Sequence, residues 1–174
     1  MSSLLAPDAV DAALHQLESH LADQFAGASS PLALVGIRTG GAVVAKALQE
    51  RLTARGVACE LGLLDITLYR DDALAQGANA LLLGTDLPFD VEGRQVVLVD
   101  DVLFTGRTIR AALDAICDLG RPGRVHLAVL LDRGGRELPI AADFVGATVD
   151  VDADQRLVLQ GDDALEVALQ PFSR

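Results

Sequence analysis

The stretch Val96–Thr108, VVLVDDVLFTGRT, constrains the fold more than any other part of the chain. Val96, Val97, Leu98 and Val99 run without a break into the acids Asp100 and Asp101. An unbroken apolar run of this kind predicts a strand covered on both faces, as in a parallel sheet. Acids at its carboxyl end fall where open α/β sheets bind ligands. Thr105-Gly106-Arg107-Thr108 follows, and then a helical pattern. A helix start offers unpaired N–H groups and the positive end of the helix dipole, both of which favour an anion. The backbone and hydroxyls of Thr105, Gly106, Arg107 and Thr108 therefore suit a phosphate. The carboxylates of Asp100 and Asp101 suit a ribose diol, directly or through a hydrated Mg²⁺. One phosphorylated sugar would span both groups.

A second unit of the same design lies upstream. Leu32 to Ile37 reads as a buried strand, ending in Arg38-Thr39-Gly40-Gly41. A helix from Ala42 to Arg51 follows, with Val43, Val44, Ala47 and Leu48 facing inward. Two strand–glycine loop–helix units point to a ligand with two phosphate groups.

The remaining chain fits around these two units. Asp8 to Phe25 carries Val10, Leu14, Leu17 and Leu21 at helical spacing, with Asp8 as N-cap after Pro7 and with His15 and His20 on the surface. Val57 to Tyr69 alternates as a strand through Leu61, Leu63, Ile66 and Leu68, and Ala73 to Leu87 reads as a short hairpin or a lid. The helix after the signature places Ile109, Leu113, Ile116 and Cys117 on one face and ends at Gly120. Val125 to Leu131 is the next buried strand, running into Asp132-Arg133-Gly134-Gly135-Arg136. Asp143–Val151 and Arg156–Leu159 read as strands of a small closing subdomain. Strands alternating with helices predict an α/β fold with a mainly parallel sheet and right-handed crossovers.

Composition bounds the rest. A chain of 174 residues is expected to form one domain, 1–174. No apolar run reaches the length of a membrane span, and MSSLLAPDAVDAAL lacks the basic-then-apolar order of a secretory signal, so a soluble cytoplasmic protein is expected. Cys59 and Cys117 are expected to be buried reduced thiols. HExxH, CxxC, GxSxG, Walker A and GxGxxG patterns are all missing, and the three histidines are scattered. Zinc hydrolysis, serine hydrolysis, triphosphate hydrolysis and NAD binding are thereby disfavoured. The net charge is −11, from 14 basic and 25 acidic residues, and Lys46 is the only lysine. Little material is left for the basic patch that a protein needs to hold RNA by its phosphates.

VVLVDDVLFTGRT resembles the phosphoribosyl-pyrophosphate (PRPP) signature of type I phosphoribosyltransferases. With LVGIRTGG (34–41), LDITLYRDD (64–72) and RPGRVHLAVLLDRGGRELPI (121–140), the chain resembles the PyrR family, uracil phosphoribosyltransferases that also regulate pyrimidine operons. The resemblance covers roughly residues 4–160. It implies a central, mainly parallel sheet flanked by helices, with a small hood. It implies the reaction of PRPP with uracil to give UMP and pyrophosphate, assisted by Mg²⁺. Arg38, Thr39, Gly40 and Gly41 would hold pyrophosphate, and Thr105 to Thr108 the 5′-phosphate. Asp100 and Asp101 would orient the ribose and meet the metal indirectly, through PRPP and water. Tyr69 and Arg70 would stand at the base of a loop closing over PRPP, with Arg70 assisting catalysis. Backbone near Asp132 and Arg133 would read the base. A homodimer or higher homo-oligomer is implied, as is UMP-dependent binding of pyr mRNA; transfer to another base is the alternative. The chain departs from its family at Gly40, where relatives carry Arg, and along DRGGRELPIAADFVGA. There Gly135 stands for a His, Ala141 for an Arg and Ala147 for a Lys. Weak or absent RNA binding is expected from these losses.

Overall fold

A computed structural model describes residues 2–72, 84–161 and 164–172. The strands β2 (Leu32–Ile37), β3 (Cys59–Leu64), β4 (Gln95–Leu103), β5 (Arg124–Asp132) and β6 (Phe144–Thr148) form a parallel sheet in the order β3-β2-β4-β5-β6. The expected β2 matches residue for residue, because all six of its residues are buried and no polar position blurs its ends. Alternation along β4 explains the two-faced sheet. Val97 and Val99 join Leu34, Leu130, Leu48 and Leu17 in one core cluster. Val96 and Leu98 join Val35, Val129, Ile109 and Ile116 in the other. Helices α1 (Pro7–Gln24) and α2 (Gly40–Ala54) cover the first face, and α3 (Arg107–Asp118) the second.

The strands β1 (Ser2–Leu5), β7 (Gln155–Gln160) and β8 (Glu166–Pro171) form a separate antiparallel sheet, the hood, in the order β1-β8-β7. Leu157 and Val167 anchor it to the α1–α2 core.

The structure corrects several local expectations. Helix α1 starts at Pro7, not after an Asp8 cap: Ala6 is the N-cap, and its carbonyl accepts from Ala9 and Val10. Proline at the first helical position has its angle preset and lacks only an N–H that would be unpaired there anyway. Helix α2 begins two residues early, at Gly40, and Val43 is 44% exposed rather than inward. Strand β3 stops at Leu64, because Asp65 accepts from the Thr67 N–H at 3.0 Å and folds the chain into a 3₁₀ turn, Thr67–Tyr69. Leu68 is consequently 74% exposed. On α3 the buried stripe runs through Ile109, Ala112 and Ile116 with Ala111 and Ala115, while Cys117 lies off it and is exposed. Cys59 is half-buried, and burial pushes its thiol up to about 11. Residues 144–148, expected in the closing subdomain, are instead the edge strand of the parallel sheet. Residues 73–83 of the expected hairpin or lid lie outside the described residues. Among the described residues, no helix is long and apolar enough to cross a membrane.

Candidate active site

The acids of the signature stand within a strand. β4 continues through them, and Asp100 pairs in register with Val129 of β5. Asp100 is 5% exposed, and the Asp101 N–H donates to one of its carboxylate oxygens at 3.0 Å. Burial, and next the charge of Asp101, hold the Asp100 carboxyl well above the usual carboxylate range. Asp101 is half-buried at the open end of the sheet.

One glycine loop packs directly on this pair. A Cβ on Gly40 would fall 2.2 Å from an Asp101 carboxylate oxygen. One on Gly41 would fall 2.3 Å from the Val99 carbonyl and 2.9 Å from the Asp100 Cα. Only glycine permits such an approach. The upstream loop, in which the Arg38–Thr39 peptide is cis, lies directly against the acids. Both glycines open helix α2 beside the Thr39 N-cap, which makes no side-chain cap, so no capping side chain takes their N–H groups. Arg38 is half-buried there, and its Nε is buried without a hydrogen-bond partner.

The second loop is the expected strand–turn–helix. Gly106 takes φ +92° as N-cap of α3, and Leu138 and Ile140 pack around its Cα. The Thr105 carbonyl accepts from Glu137 and Leu138 N–H groups at 3.0 and 3.1 Å, and its hydroxyl lies 3.4 Å from the Arg107 N–H. The Arg107 side chain bridges Asp71 at 2.8 Å and Glu137 at 2.6 Å, and Arg110 also holds Asp71, at 2.7 Å. Sequence reasoning missed this network, which becomes visible only when three separate segments meet. Arg70 is paired with Asp72 and, with Asp71, Arg107 and Thr108, lines a cavity of about 170 Å³ beside the turn. A wider cavity of about 590 Å³ lies between α1 and α2, lined by Pro7, Leu14, Glu50 and Arg51 among others. Neither glycine loop lines it, nor does Asp100 or Asp101.

Asp132 and Arg133 stand where expected, at the end of β5, but their side chains are engaged. Burial pushes the Asp132 carboxyl up; the Arg136 guanidinium at 2.5 Å and the Gly134 N–H outweigh this and hold it below its usual range. Arg133 turns to the hood, donating to the Gln155 and Asp152 carbonyls at 2.6 and 2.9 Å. Its own N–H donates to the Leu103 carbonyl, and the Asp132 carbonyl accepts from Val149.

The donor set bears on which metal the site suits. Among the described residues no three His, Cys, Asp or Glu gather into a cage. Asp101, half-buried beside the buried Asp100, fits a Mg²⁺ that keeps most of its water and takes other oxygens from a phosphorylated substrate.

Residues 2–158 match the phosphoribosyl transferase domain family. A 1.4 Å crystal structure of the hypoxanthine phosphoribosyltransferase of Trypanosoma cruzi is 20% identical and aligns over 99% of this chain and 98% of its own, with a TM-score of 0.72. A point mutant of that enzyme, in a ternary substrates complex, gives 0.73 at 22% identity, over 95% and 93%. The family match makes the chain a phosphoribosyltransferase, and the two structures share its fold. The bifunctional protein PyrR of Roseiflexus sp. (strain RS-1) is 51% identical over 155 residues, 88% of this chain and 84% of the relative. That of Chloroflexus aurantiacus is 49% identical over 158 residues, 90% and 86%. The chain belongs to the PyrR family.

Proposed function

We propose that the two loops divide PRPP between them, so that this uracil phosphoribosyltransferase makes UMP and pyrophosphate at the open ends of β2 and β4. The observation that carries the assignment is the packing of Gly40 and Gly41 against Asp101 and Asp100, which places a helix-start anion site within contact of the acid pair. Arg38, Thr39, Gly40 and Gly41 take the pyrophosphate. Because Gly40 adds no cation, Arg38 supplies that loop's side-chain charge, and backbone N–H groups supply the rest. Thr105, Gly106, Arg107 and Thr108 take the 5′-phosphate at the start of α3. Asp100 and Asp101 accept the ribose hydroxyls and stabilise positive charge that builds on the sugar as the glycosyl bond to pyrophosphate breaks. Mg²⁺, held near Asp100 and Asp101 through water, would neutralise the leaving pyrophosphate. Arg70, beside the phosphate turn, adds a cation on the solvent side. Uracil is read by backbone just beyond Arg133, at Gly135, since the polar groups of Asp132 and Arg133 and the Gly134 N–H and carbonyl are largely engaged.

The test offers PRPP and labelled uracil, with hypoxanthine and orotate in parallel, with and without Mg²⁺. Formation of UMP that requires Mg²⁺ is the expected result. Turnover of a purine alone would overturn the base assignment.

A second role, UMP-dependent binding of pyr mRNA, accompanies the family. Here the geometry argues for weak RNA binding. Arg136, the arginine left in the DRGGRELPI segment beyond Arg133, donates to the Ile140, Phe104 and Gly134 carbonyls and pairs with Asp132, so its charge is turned inward.

A further inference from the structure

Arg133 is 7% exposed and its guanidinium carbon sits 4.1 Å above the centre of the Phe104 ring. Phe104 immediately precedes the phosphate turn. Its ring stacks with Phe172, the centroids 6.4 Å apart and the planes 28° off parallel. Phe172 follows β8, and its N–H donates to the Asp154 carbonyl at 2.9 Å. That carbonyl lies in the same hood turn whose Asp152 and Gln155 carbonyls receive Arg133. Gly135 closes the group: a Cβ there would lie 2.5 Å from the Phe104 ring, and its φ of +71° favours glycine. Phe104 is thus gripped by a guanidinium, a second ring and a glycine backbone.

We propose that Arg133 and Phe172 are positioning residues, a pillar through which the hood fixes Phe104 and hence the Thr105–Thr108 turn that receives the 5′-phosphate. The proposal rests on that phosphate assignment. The turn is otherwise held through its carbonyls: Arg136 donates to Phe104 at 2.9 Å, and Glu137 and Leu138 donate to Thr105. Carbonyl bonds fix its height on the sheet; the ring, gripped from the hood, fixes its rotation. Phosphate binding by several N–H groups at once depends on that rotation, because N–H···O bonds weaken steeply off line. Cation–π and aromatic pairs have the strength to hold such a setting.

Arg133→Lys would expose a buried, carbonyl-bonded site to misfit and can lower the folded yield, so Phe172 carries the test. Phe172 is 44% exposed and lies at the end of β8, so its removal leaves both cores intact. Phe172→Ala is expected to raise the KM for PRPP and the Kd for ribose 5-phosphate, read by calorimetry, by about 3- to 10-fold, the range spanned by an aromatic pair. The KM for uracil and kcat at saturating PRPP stay near wild type, and Phe172→Tyr restores PRPP affinity. Unchanged ribose 5-phosphate binding in Phe172→Ala, or equal loss in Phe172→Tyr, overturns the pillar. If the wild-type protein does not bind ribose 5-phosphate, the phosphate assignment beneath the pillar fails instead.

Discussion

Replacing Gly41 by alanine is the sharpest test of how the pyrophosphate loop meets the acids. The added methyl would lie 2.3 Å from the Val99 carbonyl oxygen and 2.9 Å from the Asp100 Cα. Both are backbone atoms of a central strand paired here with β5, so neither can swing aside as a side chain could. Ordinary contact begins at about 3.4 Å, so the loop must retreat by about 1 Å. A misplacement of about 1 Å at reacting groups costs on the order of 10²-fold in rate, or about 2.7 kcal/mol of transition-state stabilisation. Helix propensity works the other way, since alanine in the first turn of α2 is favoured over glycine by up to about 1 kcal/mol. Forcing a methyl against backbone costs about 1–3 kcal/mol, which outweighs that gain, so the variant is expected to fold with a lowered melting temperature and to lose about 10²-fold in kcat/KM for PRPP. Gly40→Ala is the comparison: its methyl meets the Asp101 carboxylate, which can rotate, so a smaller loss is expected there. The assay is UMP formation from labelled uracil over a PRPP series. A folded Gly41→Ala enzyme with kcat/KM within about two-fold of wild type would refute the idea that this contact sets the geometry of the site.

Asp100→Asn is expected to cut turnover by about 10²-fold while raising the stability of the metal-free protein at neutral pH. Its folded pKa lies above the unfolded one, so the native state binds the extra proton and wild-type stability falls as pH rises from the ordinary carboxylate pKa towards the raised value. Melting curves of the two proteins should coincide in acid and diverge above it, and parallel curves throughout would count against this. Thr105→Val is expected to weaken PRPP binding by about 1.5–3 kcal/mol, with folding nearly unaffected, because Gly106 is the helix cap and the Thr105 hydroxyl lies 3.4 Å from the Arg107 N–H. Unfolding with PRPP affinity intact would make the hydroxyl structural. Filter binding of a pyr leader RNA with UMP is expected to be weak at near-physiological salt, with a shallow slope against log salt. Tight, UMP-dependent binding would place the RNA on another face.

The strands nearest the centre were legible because their environment is simple. A residue in β2, or from Val96 to Asp100 in β4, is buried whichever way it points, so a run of Val and Leu suffices. The same sequence located both glycine loops and Asp100 and Asp101, since strand end, acid and helix start are adjacent in the chain. Elements whose partners are remote could not be read. Strands β1 and β8 exist by pairing with each other across most of the chain. Val167 and Ala168 are both buried, so even the alternation of β8 is blurred. Arg133 was legible as a loop residue but not in its direction, which is set by carbonyls about twenty positions further on. Leu64 to Tyr69 reads as continuous strand until the Asp65 side chain is seen to take the Thr67 N–H.

The hood has a consequence for how the chain is made. β8 is the middle strand of its sheet, with β1 on one side and β7 on the other. Residues 2–5 are translated first among the described strands, yet they have no hydrogen-bonding strand until residues 166–171 have left the ribosome. Throughout synthesis that N-terminal segment is an unpaired edge of the kind that invites contacts with other chains. The parallel sheet can pair its strands beforehand, since the strand pairings among β2 to β6 use no residue beyond Thr148. The hood must close afterwards, so any fusion or cut that delays β8 leaves β1 and β7 without their shared partner.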